Sequence, residues 1–202
     1  EYIASAPDSI IAVRISALRP IDFTIAFESP IKSCKTTANS TGIIATGTAS
    51  YSSLPSYVDM PADQKMLYDE GHGIRFCTDI RAIAPGAAVK PHSDGSISVA
   101  GAKETMIIVA IATSFNGSDK NPATQGKDYM AEAGRKAERA AGKLYADIHK
   151  DHIADYSRLF SRAKIDLGES DPALADMPTD LRLKNYTDNN AYDPDLEELY
   201  FD

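Results

Sequence analysis

The chain has 202 residues, 43% hydrophobic and 25% charged, which suffices for a core of ordinary size in one large domain or one and a half small ones. Lys and Arg number 21 against 29 Asp and Glu, a formal net charge of −8, and such a surface repels phosphate backbones and anionic lipid, arguing against nucleic-acid and membrane partners. No apolar run approaches the roughly 20 residues that span a bilayer.

Strand signals fill the first half. Ile11, Val13 and Ile15 alternate with Ala12, Arg14 and Ser16, the period of a strand with one buried face. Arg19-Pro20 interrupts, and Ile21, Phe23, Ile25 and Phe27 then oppose Asp22, Thr24, Ala26 and Glu28. The two runs predict an antiparallel hairpin. Residues 30–41, rich in Ser, Thr and Lys, predict a loop, and 42–50 a weaker strand diluted by Gly42 and Gly47. Residues 51–72 predict a long loop with one helical turn, through which Tyr51, Tyr57 and Tyr68 are scattered. From 73 to 84 a strand returns, with Ile74, Phe76 and Ile80 opposite Arg75, Cys77, Asp79 and Arg81.

Pro85-Gly86 turns the chain, and Asp94-Gly95 predicts a tight hairpin joining 87–91 to 96–99. Residues 105–112 are apolar on both faces, as in a central strand. Phe23, Phe27, Phe76 and Ile111 are the expected core. Cys34 and Cys77 read as two unrelated thiols, with a disulfide as the lesser alternative.

The second half changes period. Met130, Ala133, Ala137 and Ala140 recur at helical spacing, and Leu144, Ile148, His152, Tyr156, Leu159 and Phe160 form a second stripe. Gly142 separates the two helices or bends one. Lys164–Leu167 predicts a short strand. Residues 178–184 and 193–201 predict further helices, the last with Asp193 as N-cap and Pro194 at the first helical position. Many short strands followed by helices predict a mainly β fold, an antiparallel β-sandwich with a helical segment after it.

Several constellations have the residue types for chemistry. His149 and His152 lie three apart on a helix, but no third ligand is near in sequence; the spacing predicts a packed His152 and a solvated His149 rather than a metal site. Asp69-Glu70 and Glu197-Glu198 are adjacent carboxylates that point apart and predict solvated charge. Arg135, Lys136, Arg139 and Lys143 interleave with Glu132 and Glu138, which predicts an exposed, salt-bridged helix face. The polar loop Ser114–Lys120 follows the most apolar strand, a natural place for binding groups. Its Asn-Gly and Ser-Asp pairs are also turn chemistry, and both readings stand. Gly126 is too isolated to mark a phosphate loop. No cofactor is expected.

Five segments, in order, resemble glycoside hydrolase family 95: Glu1-Tyr2-Ile3-Ala4-Ser5 with Pro7-Asp8 and Val13-Arg14-Ile15-Ser16; Gly73-Ile74-Arg75-Phe76; Ala112-Thr113-Ser114-Phe115-Asn116-Gly117-Ser118-Asp119-Lys120-Asn121-Pro122; His152-Ile153-Ala154-Asp155-Tyr156 with Leu159-Phe160; and Pro178-Thr179-Asp180, Arg182-Leu183, Asp193-Pro194 and Leu199-Tyr200-Phe201. Ser118 and Asp202 depart from the family pattern. The resemblance covers almost the whole chain.

It implies a β-sandwich over 1–124, with 163–168 as a returning strand, a helical linker over 125–162, and a connection to an (α/α)6 catalytic barrel over 169–202. Glu1 rather than Met opens the chain inside a strand-like pattern, so the natural start is expected upstream. The implied activity is inverting hydrolysis of terminal α-L-fucosides, often α-1,2-linked, by a Glu acid and an Asn-activated water on the barrel. No catalytic residue falls on this chain. Asn116, Asp119 and Lys120 are then candidates for sugar contact at the barrel rim or for a domain interface. The implied partners are a fucosylated oligosaccharide or glycan and the protein's own barrel, and the implied compartment is periplasmic or extracellular. The alternative is a stand-alone carbohydrate-binding or scaffolding sandwich, which the absence of Trp supports poorly.

Overall fold

A computed structural model describes residues 1–69 and 71–201, with only the backbone at 62 and 63. The chain forms two compact units, one from Glu1 to Ile153 and one from Ala154 onward.

The first unit is built on one antiparallel sheet. Its strands are β1 (Tyr2–Ser5), β2 (Ile10–Ile25), β3 (Lys35–Asn39), β4 (Gly42–Thr48), β7 (Arg75–Ile83), β8 (Ala88–Pro91) and β9 (Ile97–Thr113). They lie in the order β1-β2-β9-β7-β4-β3, with β8 also paired to β9. Between β4 and β7 the chain makes an excursion holding β5 (Ser52–Ser53), α1 (Ala62–Lys65) and β6 (Met66–Leu67). The predicted mainly β, antiparallel architecture followed by helices is what the structure shows.

The expected first hairpin is instead a single bent strand. Ile11 to Ser16 pair with Val109 to Glu104, and the register then jumps so that Ile21 faces Ala102. Residues 17–20 bulge out, with Leu18 fully exposed. Pro20 has no N–H for a ladder, and a bulge is where a strand tolerates it. On β9 the matching irregularity is Gly101, at φ 76°, whose N–H donates to Asp22 Oδ1 at 2.7 Å. The expected loop at 30–41 likewise contains a strand. Asn39 Oδ1 accepts from Thr41 N–H at 2.8 Å and Gly42 N–H at 3.0 Å, turning β3 into β4.

Because β2 and β9 bend, the sheet curls over itself. Ile43, Ile80, Ile97 and Ile107 form one buried cluster with Phe23, Ile25, Phe27 and Val89 against it. Thr36 of β3 meets the Gly95 turn beside β8, so one continuous sheet supplies both layers of a sandwich. Each fully buried Ile contributes roughly 1.5–3 kcal/mol. Phe23 and Phe27 fall on the expected face. The Phe76 ring is half-buried and covers Gly47. Ile111 is a correction: it is 48% exposed, because its face of β9 runs beyond the rim of that cluster while Ala110 and Ala112 turn to the other side.

That other side is covered by α2 (Tyr129–Ala141), capped by Asp128 accepting from Ala131 N–H at 3.1 Å. Ala133, Ala137 and Ala140 are fully buried, and their small side chains let the helix lie close on β7 and β9. The polar face expected of β7 is the face under α2, so Cys77 and Asp79 are buried rather than wet. Arg81 donates to both Asp79 carboxylate oxygens at 3.2 Å. Burial pushes the Cys77 thiol up, with the nearby Asp79 adding to it. The cysteines are free: β4 lies between them, and two strand spacings of about 4.8 Å exceed a disulfide's Cα reach of about 7 Å.

Gly142 separates α2 from α3 (Tyr145–Phe160). Of the predicted α3 stripe only Ile148 is buried; Leu144, Tyr156, Leu159 and Phe160 are exposed. Residues 164–167 form no strand. The second unit continues with α4 (Pro172–Ala175), α5 (Thr179–Asn189) and α6 (Pro194–Phe201).

Candidate functional site

The loop after β9 starts from buried Ser114. Ser114 N–H donates to the Arg75 carbonyl at 2.8 Å, its hydroxyl accepts from Arg75 N–H at 3.0 Å, and its carbonyl accepts from Lys127 N–H at 3.1 Å. Both ends of the loop are thereby held beside β7. At Gly126 a Cβ would lie 2.4 Å from the Pro122 carbonyl oxygen, so only glycine lets the returning chain pass so close.

Within the loop, the Asn116 amide donates to the Gln125 carbonyl at 2.9 Å. Asn121 N–H donates to Gln125 Oε1 at 3.1 Å, and the Asn121 amide donates to the Gly71 carbonyl at 3.1 Å. Gly117, at φ 115°, accepts from Lys120 N–H at 3.4 Å and closes the tip. The three candidates therefore divide. Asn116 braces the loop, while Asp119 and Lys120 stand exposed at its tip. Asn121 stands in the segment that carries the family resemblance, but its bracing role and that of Gln125 were not legible, because isolated polar residues have no spacing signature.

The other constellations resolve as geometry. Glu197 accepts from the Tyr186 hydroxyl at 2.9 Å and Glu198 from Leu167 N–H at 2.6 Å, so these neighbours point to different partners. Asp69 accepts from Gly71 N–H at 2.7 Å and lies 2.8 Å from His72 Nδ1. The Gly71 bond, then His72, holds its carboxyl below the usual range. The other half of that expected pair, Glu70, lies outside the described residues. His149 is exposed and His152 half-buried, and the described residues hold no cluster able to bind a metal ion.

The basic run on α2 is exposed at Arg135 and Arg139, as expected, and reaches beyond its own helix. Lys136 pairs with Glu132 at 2.9 Å as expected, but Arg139 donates to the Asp8 carbonyl at 2.9 Å. Lys143 Nζ lies 2.8 Å from Asp8 Oδ1 and 3.1 Å from Asp151 Oδ2; these partners, Asp8 first, raise its pKa. Asp8 is buried and accepts from the Ser5 hydroxyl at 3.0 Å. The exposed face is thus salt-bridged as expected, and two of its members, Arg139 and Lys143, also clasp the end of α2 to the β1–β2 turn.

In the second unit the centre is Asp193, fully buried. Arg182 donates to its two oxygens at 2.9 and 2.6 Å, Ser170 at 2.5 Å, and Leu196 N–H caps onto it at 3.2 Å. The Arg182 guanidinium beside it lowers the carboxyl to about 2 against the opposing effect of burial. Beside this hub an apolar hollow of about 660 Å³ is lined by Leu167, Leu183, Tyr186, Leu196, Leu199 and Tyr200.

Residues 1–118 match the family described as "Glycosyl hydrolase family 65, N-terminal domain", and residues 144–202 match "Glycosyl hydrolase family 95 catalytic domain". Along its whole length the chain is similar to Alpha-L-fucosidase 2 of Arabidopsis thaliana, at 24% identity over 207 residues. That similarity covers 100% of this chain and 25% of the plant protein, so the chain spans about a quarter of the length of the curated relative it matches.

Proposed function

This chain belongs, over residues 1–118, to the glycosyl hydrolase family 65 N-terminal domain family, and from that premise, with the family 95 catalytic-domain match over residues 144–202, we propose that it is the sheet domain and adjoining helices of an inverting α-L-fucosidase. The substrate of the whole protein is a glycan bearing terminal, α-1,2-linked L-fucose. The observation that carries this reading is the similarity, along the whole chain, to a protein named as an α-L-fucosidase.

The chemistry supports a non-catalytic role for these residues. Inverting hydrolysis needs a protonated carboxyl on one side of the bond and a base-activated water on the other, the carboxyls about 6.5–9.5 Å apart. A proton donor at neutral pH needs a raised pKa. The family resemblance puts both groups on the catalytic barrel, and we assign acid and base to other parts of the protein. On this reading the exposed Leu199 and Phe201 and the apolar hollow meet the remainder of the catalytic domain. A stand-alone binding or scaffolding module fits less well, since the similarity runs on into the catalytic-domain match.

The test is to assay the 202-residue chain and the full-length protein on a fucosyl-α-1,2-galactoside. We expect turnover by the full-length protein, with inverted product, and none by the chain. Comparable turnover by the chain would overturn the non-catalytic role; no turnover by the full-length protein would overturn the substrate.

A further inference from the structure

The excursion between β4 and β7 does more than connect them. Tyr51 lies 17 residues before Tyr68 in a run that reads as loop, but the two-stranded ribbon brings it back beside the segment that holds Tyr68 and His72. Ser52 pairs with Leu67, and Tyr51 N–H donates to the Leu67 carbonyl at 3.0 Å. Tyr51 and Tyr68 therefore sit at the same end of the ribbon. The Tyr51 and His72 rings are 5.7 Å apart. Both tyrosines keep roughly two-fifths to half of their surface in water, Tyr51 at 49% and Tyr68 at 40%.

The polar groups here are fixed, not floppy. Asp69 takes Gly71 N–H on one oxygen and faces His72 Nδ1 with the other, and its carbonyl accepts from His72 N–H at 3.3 Å and Gly73 N–H at 3.1 Å. That turn orients the imidazole, which is exposed. Asn121 ties the same turn, through Gly71, to the loop whose tip carries Asp119 and Lys120.

We propose that the ribbon end formed by Tyr51, Tyr68 and His72, braced by Asp69, is a binding platform for a neutral oligosaccharide. Phenol rings offer rigid, amphipathic area to the C–H faces of a pyranose at low entropic cost, and their hydroxyls remain wet. His72 supplies a directional partner for a sugar hydroxyl, with Asp69 as its positioning residue. The Asp69 carboxylate and the net charge of −8 repel acidic saccharides, which selects neutral ones. The nearby cation Lys65 is engaged with the Ser56 carbonyl at 3.1 Å. The platform rests on the reading that the protein handles a glycan, and it adds a contact distinct from the bond-cleaving centre.

The test is affinity electrophoresis of the 202-residue chain through gels bearing immobilised lactose or its fucosylated trisaccharide. Wild type should be retarded by both sugars. Tyr51→Ala, Tyr68→Ala and His72→Ala should each weaken retardation at least about fivefold, while Tyr51→Phe retains it. Thermal melting of each variant shows that the fold is kept. No retardation of wild type, or undiminished retardation of a folded Tyr51→Ala/Tyr68→Ala double variant, would overturn the platform. Hydrolysis of the same trisaccharide by the full-length protein is scored separately, so the platform and the fucosidase reading fail independently.

Discussion

Asp193 shows how one residue organises a small helical unit. As N-cap of α6 it was legible from Asp193-Pro194 alone; that Arg182 and Ser170 converge on it was not. Its folded-state carboxyl ionises near 2 against an ordinary 3.8. A lowered folded pKa stabilises above the unfolded value and is lost as pH falls through the folded one. The contribution, up to about 2 kcal/mol, is therefore complete at neutral pH and declines from about pH 4 towards pH 2. Amide exchange of residues 179–201 at pH 7 and pH 3 should show wild type loosening in acid. Asp193→Asn should be loose at both, with little pH dependence.

At the level of elements, α2 and the long strands show two kinds of information. The alanine spacing of α2 marks its buried side, and Ala133, Ala137 and Ala140 are fully enclosed. Enlarging such a position forces neighbours off their rotamers. Ala137→Leu should cost about 1–3 kcal/mol in urea unfolding, whereas Arg135→Leu on the exposed side should stay within about 0.5 kcal/mol. Equal effects would mean that the helix does not lie on the sheet as described. For the strands, alternation located β7 but misjudged its faces: a helix covers the polar-looking side, so Cys77 and Asp79 are interior. No local pattern in β7 announces a helix that arrives some fifty residues later.

Across the whole molecule, packing is uneven. β9 is paired on both edges, by β2 on one side and by β7 and β8 on the other, and buried clusters lie on both of its faces. Among the described residues of the second unit, buried side chains are confined to the Asp193, Pro194 and Leu196 region. Exchange protection follows buried contact, so β9 residues 106–112 should be the slowest-exchanging amides and α5 among the fast ones. Equal protection in the two units would contradict this division.

The sequence by itself determined the antiparallel strand class, the Asp94-Gly95 hairpin, the switch to helices near residue 127 and the family resemblance, because period, turn chemistry and motif order are local properties of the chain. Tertiary structure decided the rest. It merged two strands into one across Pro20, where a bulge absorbs the missing N–H, and joined Ile97–Val99 to Thr105–Thr113 through Gly101. It set Arg139 and Lys143 of the exposed basic run against Asp8, because the β1–β2 turn presents a buried carboxylate there. It also brought Tyr51 to the ribbon end that carries Tyr68 and His72, since pairing of Ser52 with Leu67 folds back a run that reads as loop.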